Sequence, residues 1–272
     1  MKTLVGTFVI AAIAAMPART PAQERLRVAT TTSVQDSGLL PYLLPNFEQR
    51  EGCKIDVIAV GTGQALTLAS NGDVDMVIVH DPIAEMEFVG KGAGVNRTTI
   101  MRNDFVIVGP DADSAKVRGV KSAQEALEKI RKASATWISR GDKSGTNQKE
   151  MQIWKETGTI PAGEWYLEIG QGMGAALTMA DQKQAYTLSD RGTYLARKSK
   201  LKLAILFEGD PEFGNPYSAM AVNPQRFPAV KYVLAKKLID WLCSESGQKL
   251  IGEHRVDGNQ LFTPSCKAAG GN

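Results

Sequence analysis

The sequence contains few of the residues that bind metals. Three cysteines and two histidines occur among 272 residues, and no Cys-x-x-Cys pair or Cys/His cluster has the spacing of metal ligands. A pair of histidines without a third ligand makes a weak metal site. We therefore expect neither a metal nor a cofactor.

The sequence also lacks an excess of charge, an internal repeat and a low-complexity tract. Its 32 basic and 29 acidic residues give a net charge of +3, and the lysines are scattered over segments of helical composition. This distribution is typical of a solvated face, so nucleic-acid binding is not supported. After the first residues, no window is apolar enough to cross a bilayer.

The first 22 residues have the pattern of a secretory signal. Lys2 precedes a short apolar run, Leu4 to Met16, and small residues extend to Ala22. That run is too short for a membrane span. We expect cleavage near Ala22 and a periplasmic, monomeric protein. Gln23 follows the cleavage site, so no lipoprotein anchor is expected there.

The three cysteines lie in a chain predicted to reach an oxidising compartment. One disulfide and one leftover thiol are expected. Cys243 lies in an apolar helical run, which favours a buried thiol. Cys53 and Cys266 flank turn-like segments, so we predict that these two form the disulfide.

Short runs rich in Val and Ile alternate with helical stretches along the chain, as in KIDVIAV before GQALTLASNG. This alternation predicts an α/β fold with largely parallel sheets. Turn-like segments at 109–113 and 208–216 indicate two crossings between lobes. We predict a discontinuous first lobe, residues 23–108 with 216–272, and a second lobe, residues 109–215.

Residues 136–148, TWISRGDKSGTNQ, give the clearest indication of function. A β-branched run ends at Arg140, and a Gly-Asp turn leads to Ser144, Gly145 and Thr146 at the start of a predicted helix. Free amide groups at a helix start, two hydroxyls and a guanidinium form a site for a small oxyanion. Asp142 either orients Arg140 or caps the helix while pointing away.

Two further hydroxyl motifs follow predicted strands of the first lobe. The run Thr30 to Ser33 exceeds what capping one helix needs, with Ser33 and Thr31, or alternatively Thr32, as donors. Thr62 lies between two glycines, which permit close approach of the backbone. In open α/β sheets ligands bind at the carboxyl ends of strands, so both lobes are expected to face one anion.

A dinucleotide-binding function is suggested by one motif, Gly170 to Ala175, which matches G-x-G-x-x-[GA]. It lies far along an exported chain after a short strand, so we expect these glycines to let a helix approach the cleft. No G-x-S-x-G elbow is present, and neither His80 nor His254 has an evident serine partner. We therefore predict no catalytic residues and no enzyme activity.

The motifs together resemble the tungstate-binding periplasmic proteins of ABC importers. The motifs extend from Arg25 to about Pro264, and the tail from Ser265 onward matches no motif of that family. The motifs are ATTTSVQDSGLL, VGTGQAL, IVHDPIAEMEFVGKGAGVNR, NDFVIVGP, SRGDKSGT, QGMGAAL and YTLSDRGTYL.

The resemblance implies a two-lobed, type II binding-protein fold with a hinge. It also implies that tungstate, with molybdate as an alternative, is held by hydrogen bonds alone and delivered to a membrane permease. The ligand-binding residues that it implies are Thr31, Thr32, Ser33, Thr62, Arg140, Ser144, Gly145 and Thr146. Phosphate-binding relatives share pieces such as SGT, so a phosphate transport protein stays an alternative, and a secreted hydrolase is a more distant one.

Overall fold

The computed structural model describes residues 23–266. The predicted signal peptide lies outside this range, as do residues 267–272. The strands are Arg25–Thr31 (β1), Lys54–Val60 (β2), Met76–Val79 (β3), Gly94–Pro110 (β4), Trp137–Ser139 (β5), Tyr166–Glu168 (β6), Thr187–Asp190 (β7), Leu203–Phe207 (β8), Gly214–Val222 (β9), Arg255–Val256 (β10), Asn259–Gln260 (β11) and Thr263–Pro264 (β12).

Helices follow most of these strands, as the alternating pattern predicts. They are Thr32–Asp36 (α1), Leu39–Glu51 (α2), Thr62–Asn71 (α3), Pro82–Gly90 (α4), Ala123–Lys132 (α5), Gly145–Glu156 (α6), Met173–Lys183 (α7), Arg191–Arg197 (α8), Tyr232–Leu242 (α9) and Glu245–Glu253 (α10).

Helix α5 shows how local sequence determines these elements. Ser122 caps it by accepting a hydrogen bond from the Glu125 amide at 3.1 Å, the usual role of a hydroxyl before a first turn. Ala123, Leu127 and Ile130 lie on its buried face, and this helical spacing packs the helix on the second-lobe core.

The first lobe contains a mixed sheet of strand order β2-β1-β3-β9-β4-β12. Strand β1 is parallel to β2 and β3, whereas β9 is antiparallel to β3 and β4. In the second lobe β4 pairs antiparallel with β7 and β8, and β5 pairs parallel with β6. The sheets are therefore mixed, with more antiparallel pairing than the strand–helix alternation suggests.

Strand β4 is shared by the two lobes. Its pairing with β9 continues to Asp104, opposite Gly214, and its pairing with β7 begins at Phe105, opposite Asp190. The change of partner lies a few residues before the predicted crossing at 109. The predicted lobe boundaries stay a prediction.

The predicted disulfide between Cys53 and Cys266 is wrong. Cys243, just after α9, is bonded to Cys266, and their Cα atoms are 5.2 Å apart. Strand β12 pairs with β4, and the Cys266 amide donates to Gln248 of α10 at 3.0 Å, which holds the tail beside α9. Cys53 is a buried free thiol and belongs to the same hydrophobic cluster as Leu26 and Phe47.

Among residues 23–266, no helix combines the length and the apolar character that a membrane span requires.

Candidate functional site

Three neighbouring strands of the first lobe end at the same edge of the sheet. Thr31 of β1 lies opposite Val60 of β2, and Thr30 lies opposite Ile78 of β3. Thr32 and His80 come directly after β1 and β3, and Thr62 comes two residues after the end of β2, so the register places them side by side. This is the edge at which open α/β sheets bind ligands.

The hydroxyl of Thr31 is used to order the start of α1. Its Oγ1 accepts from the Val34 amide at 3.3 Å and lies 3.0 Å from Ser33 Oγ. Ser33 is 1% exposed. Thr31 therefore supports Ser33 within the first-lobe half-site, which we define as Thr31, Thr32, Ser33 and Thr62.

Thr62 lies at the first position of α3. The residue before it, Gly61, has no side chain to accept from the first amide groups of the helix, so these groups face outward. The Thr62 hydroxyl is buried and has no hydrogen-bond partner.

The second-lobe half-site consists of Arg140, Ser144, Gly145 and Thr146. Arg140 follows β5, and its side chain is 3% exposed. Its Nη2 donates to Asp142 Oδ2 at 2.5 Å, while Asp142 Oδ1 accepts from the Ser144 amide at 3.1 Å. Asp142 thus orients Arg140 and also ties it to the helix start.

Gly141 makes this turn possible. Its φ is +60°, and a β-carbon there would lie 2.8 Å from Glu168 Cβ. A larger residue would be strained by its backbone conformation and would also clash with β6.

Helix α6 begins with donors that its own capping does not use. Ser144 Oγ accepts from the Asn147 amide at 3.4 Å, which leaves the Ser144 hydroxyl proton available. Thr146 Oγ1 is buried and has no hydrogen-bond partner. The amide groups of the first turn add the positive end of the helix dipole.

The two half-sites meet at His80. Ser33 Oγ lies 3.2 Å from His80 Nε2, and a β-carbon at Gly145 would lie 3.2 Å from the His80 carbonyl oxygen. A β-carbon at Gly172, just before α7, would lie 3.3 Å from Thr32 Oγ1. The structure therefore brings the hydroxyl clusters of both lobes to one place.

Buried polar atoms without hydrogen-bond partners concentrate in these half-sites. An unpaired buried polar group costs about 1–3 kcal/mol, so a guest that accepts hydrogen bonds is favoured here. The half-site atoms of this kind are Thr32 Oγ1, Thr62 Oγ1, Thr146 Oγ1 and Arg140 Nε.

His80 was missed as a site residue because it looks like the start of a turn. It follows the buried strand β3 at the position where Thr32 follows β1, and that strand-end position was the available signal. Its Nδ1 lies 2.9 Å from Asn215 Oδ1, and its ring stacks on Tyr217 with centroids 4.5 Å apart. Burial lowers the pKa of His80 to about 4, so the ring is neutral at physiological pH.

Asp190 is a second group near the site that was not predicted to be a ligand. It caps α8 by accepting from the Thr193 amide at 2.8 Å, but its Oδ1 is buried without a partner. Burial raises the pKa of Asp190, and the nearby Arg140 charge opposes this. A buried carboxyl with a raised pKa therefore lies close to the guanidinium.

A cavity of about 630 Å³ opens beside the half-sites. Its walls include His80, Gly145 and Asn215, together with Lys149 and Lys155 of α6. No side-chain hydroxyl of either half-site lines it. Because the buried unpaired donors lie at the half-sites, we assign the candidate site there and not to this wider, more open cavity.

Close packing explains two of the glycines in the motif Gly170 to Ala175. Gly172 lets the start of α7 approach Thr32, and a β-carbon at Gly174 would lie 2.4 Å from Arg197 Nη2. Arg197 in turn lies 3.6 Å from Asp36 of α1. Within the described part of the chain, no group of three or more His, Cys, Asp or Glu side chains could hold a metal ion.

Known proteins show the same architecture. The chain matches the PBP superfamily domain over residues 16–246. It is 45% identical to the tungstate-binding protein TupA of Peptoclostridium acidaminophilum, over 91% of this chain and 88% of that protein.

Two solved structures agree with this match. The tungstate ABC transporter structure from Geobacter sulfurreducens has a TM-score of 0.77 and 56% identity, covering 84% of this chain and 97% of that one. The tungstate-binding protein TupA from Desulfovibrio alaskensis G20 has a TM-score of 0.78 and 43% identity, covering 90% and 100%. These likenesses confirm the two-lobed α/β fold, and the chain belongs to the PBP superfamily and, within it, to the tungstate-binding proteins of ABC transporters.

Proposed function

We propose that this protein captures tungstate between its lobes and delivers it to an ABC importer. The observation that carries the proposal is the concentration of buried, unpaired donors in both half-sites. Tungstate is a tetrahedral dianion that only accepts hydrogen bonds. The proposed ligands are the predicted residues Thr32, Ser33, Thr62, Arg140, Ser144, Gly145 and Thr146, with Thr31 as support for Ser33.

The energetics allow tight binding without a metal. Hydrogen bonds to a charged group contribute about 1.5–3 kcal/mol each, so six or seven total on the order of 10–20 kcal/mol. Immobilising the anion and closing the lobes costs several kcal/mol. Nanomolar affinity corresponds to about −12 kcal/mol and is within reach.

Closure is the step that completes the site. The first lobe supplies hydroxyls and the α3 N-terminus, while the second supplies Arg140 and the α6 N-terminus. An anion held by one lobe gains the remaining donors when the hinge closes. The Asp36–Arg197 ion pair between α1 and α8, at 3.6 Å, is a contact that closure brings together.

Calorimetry with tungstate, molybdate, phosphate and sulfate tests this function. We expect nanomolar tungstate binding and a raised melting temperature with tungstate. Sulfate is also fully ionised, so its exclusion rests on the size of the closed site, and we expect it to bind more weakly. If none of the four anions shifts the melting temperature, the oxyanion-binding function is wrong.

Phosphate transport is the second candidate, and Asp190 is the observation that favours it. Hydrogen phosphate carries a proton and needs an acceptor, which the unpaired Asp190 Oδ1 offers near Arg140. Phosphate that displaces tungstate at comparable concentration would support this candidate. Asp190→Asn would then weaken phosphate binding much more than tungstate binding.

A secreted hydrolase is favoured only by the alignment of Ser33, His80 and Asn215. The Ser33–His80 and His80–Asn215 distances, 3.2 and 2.9 Å, suit a nucleophile with an oriented base. A His80 pKa of about 4 makes a weak base at neutral pH. We propose that the protein is not an enzyme, and turnover of generic ester substrates that Ser33→Ala abolishes would contradict this.

The cellular setting completes the proposal. We propose an exported, periplasmic monomer whose signal peptide is cleaved near Ala22, with a membrane permease as its partner. Mass spectrometry of the mature protein and its elution volume in size-exclusion chromatography test the cleavage site and the monomer.

A further inference from the structure

The hydroxyl of Ser33 has more neighbours than it has protons. Its oxygen lies 3.0 Å from Thr31 Oγ1 and 3.2 Å from His80 Nε2. A serine hydroxyl has one proton and two lone pairs. If that proton points at a bound anion, both neighbours must donate to Ser33.

Thr31 already meets this requirement. Its Oγ1 accepts from the Val34 amide, so its own proton is available for Ser33. Of the two side chains within hydrogen-bonding distance of Ser33 Oγ, the other donor is His80. Its Nε2 therefore has to carry a proton when the anion is bound.

Burial holds His80 in its neutral form, and a neutral imidazole carries one ring proton. The charged groups that face it are Arg140, which disfavours a second proton, and Asp81, which favours one. The α6 N-terminus at Gly145 also disfavours an imidazolium. With its proton on Nε2, His80 leaves Nδ1 as an acceptor for Asn215.

Asn215 can donate to His80 Nδ1 when its side-chain amide is flipped by 180°, which exchanges Oδ1 and Nδ2. In the orientation described, its Nδ2 donates to Asn103 Oδ1 at 2.8 Å and to Tyr217 Oη at 3.0 Å. When the two amides turn together, Asn103 and the Tyr217 hydroxyl donate to Asn215 instead. Every member of this buried chain can thus reverse its direction.

We propose that His80 is a positioning residue for anion binding. As the neutral Nε2–H tautomer it donates a hydrogen bond to Ser33 and so orients the Ser33 hydroxyl toward the anion. This inference rests on the proposed function. It extends the site along a hydrogen-bonded chain from Ser33 through His80 to Asn215 of β9 and Asn103 of β4.

A double-mutant cycle measures the coupling between His80 and Ser33. His80→Leu removes the donor, and we expect it to raise the tungstate Kd about tenfold. His80→Gln keeps an N–H group and should stay within about threefold of the unsubstituted protein. In a Ser33→Ala background, His80→Leu should change the Kd less than about twofold. An equal loss in both backgrounds would show that His80 acts through packing alone.

Nitrogen-15 NMR of the imidazole rings identifies the tautomer directly. The chain has two histidines, so the signals that disappear in His254→Gln belong to His254 and the remaining ones to His80. His254 lies against the Ser37 carbonyl. In the tungstate complex we expect a neutral His80 with the proton on Nε2 from pH 6 to 8. An imidazolium, or a proton on Nδ1, overturns the inference while tungstate binding in calorimetry still supports the function. Absence of binding overturns both.

Discussion

In the proposed tungstate site, the two half-sites offer different chemistry to the anion. The first lobe offers the hydroxyls of Thr32, Ser33 and Thr62 and has no charged ligand. The second lobe adds a guanidinium, Arg140, although Asp142 already contacts it at 2.5 Å. In this proposal the second lobe supplies the charge that attracts the anion, and the first lobe supplies uncharged donors.

The lobes also differ in how they hold a buried carboxyl. In the first lobe Glu85 accepts from Arg97 Nε at 2.9 Å. In the second, Glu150 accepts from neutral donors only, among them Trp137 Nε1 at 2.9 Å and Ser139 Oγ at 2.8 Å. Burial raises the pKa of both carboxyls, although Arg97 opposes the rise at Glu85, and it raises the pKa of Glu150, which has no cation beside it among the described residues, to about 7.

The largest effect is expected from removing the charge of the second lobe. Arg140→Ala removes a charge-assisted donor and leaves Asp142 unpaired beside the anion, so the tungstate Kd should rise about 100-fold. Calorimetry measures this, with unchanged circular dichroism as evidence of folding. Arg118→Ala, which breaks the surface pair of Arg118 with Asp111, is the matched control. An unchanged Kd would remove Arg140 from the site.

The next effect concerns stability and pH. The ordinary pKa of Glu150 is 4.5 and its folded-state pKa is about 7. The folded protein therefore holds an extra proton between these values, and this contribution to stability is lost as pH rises through 7. From pH 5 to pH 8 we expect a loss on the order of 2–3 kcal/mol.

Chemical denaturation at both pH values tests this, with Glu150→Gln as the comparison. The variant carries no titratable group at this position, so its stability should fall less over the same range. Equal losses in the two proteins would contradict the assignment of this titration to Glu150.

A smaller effect is expected from a hydroxyl of the first lobe. Thr62→Val keeps the shape and removes one donor, so the tungstate Kd should rise about three- to tenfold. Thr67→Val on the same helix is the control, because the Thr67 hydroxyl donates to the Gly63 carbonyl at 2.9 Å. If both variants bind equally well, Thr62 makes no contact with the anion.

The smallest effect is expected at the contact between the half-sites. Gly145→Ala would place a methyl group 3.2 Å from the His80 carbonyl oxygen, which requires a shift of a few tenths of an ångström. We expect the Kd to rise about two- to threefold, with the melting temperature of the anion-free protein unchanged. Gly90→Ala, with nothing within 4 Å, is the control.

Local sequence patterns predicted much of the fold and the strand-to-helix junctions of the candidate site. A strand followed by a hydroxyl or arginine and then by a helix start occurs at Thr32, Thr62 and Arg140, and each junction is present. Parallel pairing of β1 with β2 explains why Thr32 and Thr62 lie side by side, whereas Arg140 follows β5, which pairs with β6 in a separate sheet. Such local signals need no knowledge of distant contacts.

What the sequence did not reveal depends on long-range register. His80 becomes a partner of Ser33 only because β3 pairs with β1, and Asn215 reaches it from far along the chain on β9. The disulfide likewise depends on β12 pairing with β4, which places Cys266 near Cys243 and away from Cys53. Neither β9 nor the two-residue β12 has a sequence pattern that predicts the strand with which it pairs.

A crystal structure of the protein with tungstate tests the account most directly, because tungsten gives an anomalous signal. We predict one tungsten peak between Arg140 and Ser33, with Thr62 and Thr146 within hydrogen-bonding reach of the anion. A peak held by one lobe alone, or lying in the cavity beside Lys149 and Lys155, would contradict a site shared by two converging half-sites.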